Sequence, residues 1–574
     1  MTPRRRLIAR SLVSRTALLR SSGFIPLAYA NAVPLRCKGG SCDPVHSQIP
    51  RTESILVENV FMLTTSTAAP EPAISNHLVE PDDVANRRLI ESVHPTDWVN
   101  PRPQHTYDLV VLGGGTAGLV SAIGAAGLGA RVALIERGLL GGDCLNVGCV
   151  PSKALLRSAR AIGEARRAAS LGVRLGAVEP DFGAIMQRMR ERRADISPRD
   201  SADRLRRSGV DVFFGQGRFT SERTIAVNGQ ILNFNRAVIA TGGRPTAPPI
   251  AGLDQIRHLT NENVFWLTDL PRRLLIIGAG PIGCELAQAF ARFGAAVTVF
   301  DQTPRVLPNE DPDAATIVQR RLTEDGITFH LGVRLIEAAE HSDGVRLRYE
   351  HSNGTSQAVG DRILVAAGRA PNVETLGLDA AGVRVSEHGV IVNDRLRTSN
   401  RRIYAAGDVC SRFKFTHAAD AMARIVIQNA LFFGRRRASA LVIPWCTYTD
   451  PEVAHVGSYE AEARDQGRRV ETITIPASDV DRAIVDDERD GFVRVHHERG
   501  RLLGCTIVAP HAAEMIGEAA YAVTHHGTLS DLASTIHPYP THVEALRTAG
   551  DTYRRARLTP GLTRWLTRYF RWTR

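Results

Sequence analysis

The chain has 574 residues, of which 43% are hydrophobic, 23% charged and 6% aromatic, an ordinary globular profile that excludes wholesale disorder, collagen and small disulfide scaffolds. No run long enough to span a bilayer, about 18 apolar residues, is free of charge, so no membrane-spanning helix is expected. The net charge of +11 sits in the tails: residues 1–50 hold eight Lys/Arg against Asp43, residues 551–574 hold seven Arg against Asp551, and the 500 residues between carry 56 bases and 58 acids, which excludes a broad basic face for nucleic acid.

Residues 1–103 are expected to be a separate, poorly structured extension. The first 50 are rich in Arg and Ser and nearly free of acids, in the manner of a transit peptide. Two other readings stand beside it. Ala30-Asn31-Ala32 reads as a secretory cleavage site, although Arg10, Arg15 and Arg20 interrupt every apolar core. An over-long start is the third, since nothing before about residue 88 is periodic. Cys37 and Cys42 lack a partner pair and read as unpaired thiols rather than a zinc site. Eight Cys in so long a chain are no disulfide framework.

From Tyr107 the texture changes. Leu109 to Leu112 is a β-rich apolar run, followed by Gly113-Gly114-Gly115-Thr116-Ala117-Gly118, an Ala-rich helical stretch to about Leu128, and a second strand from Val132 that ends at Glu136. Gly113 allows a tight turn, Gly115 lets a pyrophosphate approach backbone N–H groups, and Gly118 lets the helix pack on the sheet. Glu136 stands where a ribose 2′-hydroxyl is bound. Next comes Gly141-Gly142-Asp143-Cys144-Leu145-Asn146-Val147-Gly148-Cys149-Val150-Pro151-Ser152-Lys153. Its two thiols straddle Gly148, and Pro151 suits the first turn of a helix. A Cys at a helix N-terminus has its thiolate stabilised by the backbone dipole.

The first pattern then recurs: Leu274 to Ile277, the turn Gly278-Ala279-Gly280-Pro281-Ile282-Gly283, a helix, and Val297 to Phe300 ending at Asp301. In both copies the acid lies 23 positions beyond the first Gly, an internal repeat of a βαβ unit. Asp301 repels a 2′-phosphate and favours NADH over NADPH, a preference that Arg305 partly reverses. Further on, His496-His497 and His525-His526 are adjacent pairs that do not share a helix face, so no metal site is expected. The tail, Arg564 to Arg574, sets aromatics among Arg at near-helical spacing. It is expected to be an amphipathic helix docked on its own subunit, with a membrane surface or an anionic partner as the alternative.

The block around Cys144 and Cys149 resembles the active-site segment of the class I pyridine-nucleotide:disulfide oxidoreductases, the family of dihydrolipoyl dehydrogenase, glutathione reductase and mercuric reductase. Ala240-Thr241-Gly242-Gly243, Ala367-Gly368-Arg369-Ala370-Pro371-Asn372, Tyr404-Ala405-Ala406-Gly407-Asp408 and Tyr448-Thr449-Asp450-Pro451-Glu452-Val453-Ala454 match as well. The likeness covers about residues 104–550 and is nearest the mercuric-reductase-like branch. It implies an α/β fold of two Rossmann-like dinucleotide-binding domains with an α+β C-terminal dimerisation domain. The expected parts are the extension 1–103, FAD-binding 104–255 and 373–440, NAD(P)-binding 256–372, dimerisation 441–550, and a basic aromatic tail 551–574.

The resemblance also implies roles. FAD lies at the first glycine turn, with Asp408 at its ribityl or pyrophosphate region near Gly407, and NAD or NADP, NAD preferred, at the second; Thr241, Gly242 and Gly368 are further cofactor-binding residues. Cys144 and Cys149 form a redox-active disulfide, Cys149 on the flavin side and Cys144 as the thiol that attacks substrate. Lys153 sits near flavin N5, paired with Glu285. The product is a homodimeric enzyme that reduces a small-molecule or metal-ion substrate, mercuric-reductase-like. A lipoamide- or glutathione-type disulfide reductase is the alternative, and a non-catalytic FAD/NAD-binding redox sensor the alternative of another class. A cycle fed by NAD(P)H is expected in the cytoplasm, or in an organelle matrix if residues 1–50 are a transit peptide.

One segment departs from the pattern. Disulfide-reducing members set a His-Pro-Thr-x-x-Glu segment of one subunit against the thiols of the other. Here, anchoring on Pro540-Thr541 and Glu544 puts Tyr539 where the catalytic His belongs. With reference pKa values of about 6.5 for His and 10 for Tyr, about one Tyr in a thousand is ionised at pH 7. His537 stands in only by a local shift. Mercuric reductases resemble the chain in carrying Tyr there but add a C-terminal Cys pair, whereas the last Cys of this sequence is Cys505.

Overall fold

The apolar runs before the two glycine turns each become an inner strand between two parallel neighbours, buried on both faces as such strands are. The structure, a computed structural model, describes Val79–Arg574. The targeting readings and Cys37 and Cys42 lie outside the described residues.

In the first domain Tyr107–Leu112 pairs in parallel with Val132–Glu136 on one side and Gln230–Ile239 on the other. Val210–Phe214 and Ile403–Ala405 extend the two edges. The second domain repeats the plan: Arg273–Ile277 lies between Ala296–Asp301 and Arg362–Val365, with Thr328–Leu331 outside. In each sheet the strand order reverses beside the glycine turn, the switch point at which such sheets bind ligands. Helices Thr116–Gly127 and Thr416–Leu431 cross closely over the first sheet; a Cβ on Gly124 would come within 2.6 Å of Ile427 Cδ1.

The third domain is a five-stranded antiparallel sheet in the order Trp445–Thr447, Glu452–Gly457, Arg501–Ala509, Phe492–Glu498, Glu471–Pro476. Helices Ala512–Thr524, Leu529–Ser534 and Glu544–Ala556 share its apolar core. The architecture is therefore the expected pair of Rossmann-like domains with an α+β C-terminal domain.

Two expectations are corrected. Of the stretch before residue 104, the described part from Val79 on packs against the first domain. Asp83 caps a helix, Val84–Val93, by accepting from the Asn86 N–H at 2.8 Å. Leu89 and Val93 are fully buried in the core of the first domain, each contributing about 1.5–3 kcal/mol. Trp98 Nε1 donates to the Val212 carbonyl and Asn100 Nδ2 to that of Phe214, so the segment tracks the sheet edge. The tail is helical, Pro560–Thr573, as its spacing predicts, yet no residue of that helix is buried. It does not dock on its own subunit.

Candidate active site

The two dinucleotide turns are built alike. Gly113 and Gly278 have φ near +110°, and a Cβ on either would come within 2.7 Å of the carbonyl of Ala240 or Ala366 across the switch point. A Cβ on Gly118 would come within 1.8 Å of the Gly113 oxygen, and one on Gly283 within 1.9 Å of the Gly278 oxygen. The protein's own packing demands these four. It does not demand the middle pair: a Cβ on Gly115 would meet Gly142 Cα at an ordinary 3.7 Å, and one on Gly280 would meet nothing within 4 Å. The middle glycines keep the helix N-terminus open to an outside group, as a pyrophosphate requires. The residues fit FAD and a nicotinamide dinucleotide.

The acids after the second strands also hold the turns. Glu136 accepts from the Gly114 N–H at 2.5 Å and the Gly138 N–H at 2.7 Å; burial pushes its carboxyl up against those bonds. Asp301 accepts from the Ala279 N–H at 2.6 Å and from the Thr303 N–H and hydroxyl at 2.7 Å. Arg305 donates from Nη2 to the carbonyls of Pro308 and Glu310. A cleft of about 310 Å³ at the first turn is lined by Gly113, Glu136, Thr241 and Asn372. A hollow of about 560 Å³ between Arg257 and Arg362 contains none of the predicted site residues.

Cys144 lies in the short helix Gly142–Asn146, and Cys149 is the first residue of helix Cys149–Arg167. Both are free thiols here, and each shifts the other's acidity. Donation from Cys144 lowers the Cys149 pKa to about 6 against partial burial, with the Thr416 hydroxyl at 3.4 Å and the Lys153 charge adding to the effect. The Cys144 thiol is pushed up by the Cys149 sulfur and by burial.

Lys153, one turn after Cys149, donates to Glu285 Oε2 at 2.8 Å. Glu285 belongs to helix Pro281–Phe293, which carries three buried polar residues on one face: Glu285, Gln288 and Arg292. All three engage one turn of the third domain. Glu285 accepts from the Tyr448 N–H at 2.9 Å, Gln288 takes the Asp450 N–H at 2.8 Å and its carbonyl at 3.0 Å, and Arg292 pairs with the Asp450 carboxylate at 2.9 Å. The Tyr448 ring is thereby held 4.4 Å beneath the Lys153 ammonium. Burial raises the Asp450 carboxyl, but Arg292 and Arg167 outweigh it and leave it below the ordinary carboxylate range.

Asp408 is brought to the same region. Arg369 donates to the Gly243 carbonyl at 3.0 Å, pairs with Asp143, and lies 3.8 Å from Asp408, whose carboxyl burial raises. Thr241 and Asn372 exchange side-chain-to-carbonyl bonds of 2.7 and 2.9 Å, fixing the strand ends near Gly242 and Gly243. A Cβ on Gly368 would press to 2.8 Å on the Thr246 hydroxyl, and Gly407 has φ +83° between Ala117 and Ala419.

The structure does not bring the 537–544 segment to these thiols within the chain. The Tyr539 phenol is exposed and donates to Asp481 at 2.8 Å, with Glu544 starting the next helix. The His537 ring is 5% exposed and bonds Glu518 at 2.8 Å, while His542 bonds Asp486 at 3.2 Å. Sequence reading missed Thr416, and it quoted Arg369 and Tyr448 without assigning them roles. Both lay in matched stretches; Thr416 had no local signal.

The family model described as "Pyridine nucleotide-disulphide oxidoreductase" matches residues 107–423, and the one described as its dimerisation domain matches 443–550. A mercuric reductase of Lysinibacillus sphaericus is 35% identical over 468 residues, 81% of this chain and 86% of that protein. A dihydrolipoyl dehydrogenase of Bacillus subtilis (strain 168) is 34% identical over 458 residues, 77% of this chain and 96% of that one. Among solved structures, the Cu(II) complex of the HOCl-induced flavoprotein disulfide reductase RclA from Escherichia coli superposes with a TM-score of 0.70 at 28% identity, covering 78% of this chain and 100% of that chain.

Proposed function

Because the chain belongs to the pyridine nucleotide-disulphide oxidoreductase family, an FAD-dependent family that uses a pyridine nucleotide, we propose that it is a homodimeric NADH-dependent reductase of a thiophilic metal ion. Bound at their two turns, the nicotinamide and FAD supply an electron pair. What the chain itself supplies is a pair of sulfurs, one of them poised as thiolate, and a lysine whose charge is fixed beside it. Asp301, with Arg305 turned to backbone carbonyls, supports NADH over NADPH. NADH supply points to a reducing compartment, the cytoplasm.

The observation that carries the substrate class is Tyr539. A disulfide substrate releases a thiolate that an imidazole protonates. A metal ion held by Cys144 and Cys149 takes up electrons with no leaving group to protonate, one pair reducing one Hg(II) to Hg(0) or two Cu(II) to two Cu(I), and a phenol suffices as a neighbour. The L. sphaericus relative is named for mercury and the E. coli neighbour was solved with Cu(II), so Hg(II) and Cu(II) are the ions to test. The alternative, disulfide reduction, is favoured by the equal likeness to a dihydrolipoyl dehydrogenase.

Steady-state oxidation of NADH and NADPH against Hg(II), Cu(II), lipoamide and glutathione disulfide tests this. The expected result is metal-dependent turnover with NADH that His537→Gln leaves within about twofold, since that ring serves Glu518. Faster turnover of lipoamide or glutathione disulfide, with a collapse in His537→Gln, contradicts it.

A further inference from the structure

Beyond residue 543 the chain divides into a part that is packed and a part that is not. Helix Glu544–Ala556 buries Ala545, Leu546, Ala549 and Gly550, and a Cβ on Gly550 would come within 2.4 Å of the Leu529 carbonyl. After the link Arg557–Thr559, helix Pro560–Thr573 starts cleanly. Thr559 accepts from the Leu562 N–H at 3.3 Å, and Pro560 fills the first turn. A capped, well-formed helix with no tertiary cover needs a partner for its apolar side, because short isolated helices are marginal in water.

The sides are cleanly separated. At 3.6 residues per turn, Leu562, Trp565, Leu566, Tyr569, Phe570 and Trp572 fall within an arc of about 160°, and Arg564, Arg568 and Arg571 within about 60° on the opposite side. Trp565 and Tyr569 stack at 5.9 Å, so the aromatic face is continuous. Trp565 is 60% exposed and Trp572 83%. From Thr552 onward the sequence holds seven Arg and no acid.

We propose that helix Pro560–Thr573 lies in the interface of a lipid bilayer with anionic headgroups and tethers the enzyme to that surface. Two features select this occupant together. The apolar arc is mostly aromatic, the side-chain class that settles at the headgroup level, and the unrelieved positive charge matches an anionic leaflet. A protein groove uses the first and has no need of the second; a polyanion uses the second and leaves the aromatics in water. At about 1.5 Å per residue, 14 residues reach about 21 Å, too short to cross, so the helix lies along the surface.

The test uses the purified full chain with its flavin. Co-sedimentation is measured with vesicles of phosphatidylcholine alone and of phosphatidylcholine with phosphatidylglycerol, together with light scattering for oligomeric state and NADH oxidation. The expected result is binding to the phosphatidylglycerol vesicles only. A Trp565→Ser/Tyr569→Ser/Phe570→Ser variant loses it, and an Arg564→Gln/Arg568→Gln/Arg571→Gln variant weakens it by on the order of a hundredfold. Catalysis and oligomeric state stay unchanged in both. No binding to phosphatidylglycerol vesicles overturns the proposal. So does a change of oligomeric state in the aromatic variant, which assigns the face to a second copy of the chain. Binding that survives that variant but falls with salt overturns it too, because the contact is then purely ionic.

Discussion

Cys144 and Cys149 carry the same side chain and opposite acidities. The difference arises from position: Cys149 begins a helix, accepts from Cys144 and Thr416, and lies near a lysine, while Cys144 donates. A thiol with pKa about 6 is thiolate above that pH and protonated below it. Alkylation of the reduced enzyme by iodoacetamide, followed at Cys149 by mass spectrometry, is therefore expected to rise with a midpoint near pH 6. Cys144→Ala removes the largest lowering cause and moves the midpoint up, and Lys153→Met moves it up by less. A Cys149 midpoint near that of an unperturbed thiol, about 8.5, contradicts the geometry. The pair was legible in the sequence because its glycines, proline and lysine are all local. Thr416 lies 267 residues from Cys149 and was not, since only the tertiary fold brings it there.

At the scale of elements, the repeated glycine turns separate what the fold needs from what the cofactor needs. Gly118→Ala would set a methyl 1.8 Å from the Gly113 oxygen, so the first domain is expected to lose its native turn and the protein to express poorly or melt early. Gly115→Ala meets only ordinary contacts; it is expected to fold, as read by circular dichroism and thermal melting, and to purify without yellow flavin. Flavin retained at wild-type stoichiometry in Gly115→Ala counts against a pyrophosphate at that turn.

The helix Val84–Val93 shows the converse limit of sequence reading. Its signals were present, an Asp83 cap and Leu89 and Val93 four apart, but only four of its ten residues are buried, one of them the polar Asn86, and four of the other six are polar or charged. Its anchoring is long-range: Arg193, fully buried, joins the Asn86 side chain at 2.6 Å to the Asn146 carbonyl at 2.7 Å. This segment ahead of the first sheet thus braces the end of the short helix that carries Cys144. The stripe Glu285, Gln288, Arg292 was equally open to reading as buried polar residues on an apolar helix, and its meaning waited for the Tyr448–Asp450 turn.

For the whole molecule, the three-domain plan was legible from spacing and resemblance, because each dinucleotide unit is a local βαβ motif. The tail was legible as a helix and misread in its placement, since amphipathicity alone does not say what covers the apolar side. In the proposed function, electrons from the nicotinamide come to rest on the Cys144–Cys149 pair. Anaerobic titration with NADH, counting the electron pairs taken up before the flavin absorbance is bleached, tests this most directly. The wild-type enzyme is predicted to accept one pair with its flavin absorbance largely kept and a second on bleaching, while Cys144→Ser and Cys149→Ser bleach with the first pair. Bleaching of the wild-type flavin by the first pair, just as in the variants, would contradict it.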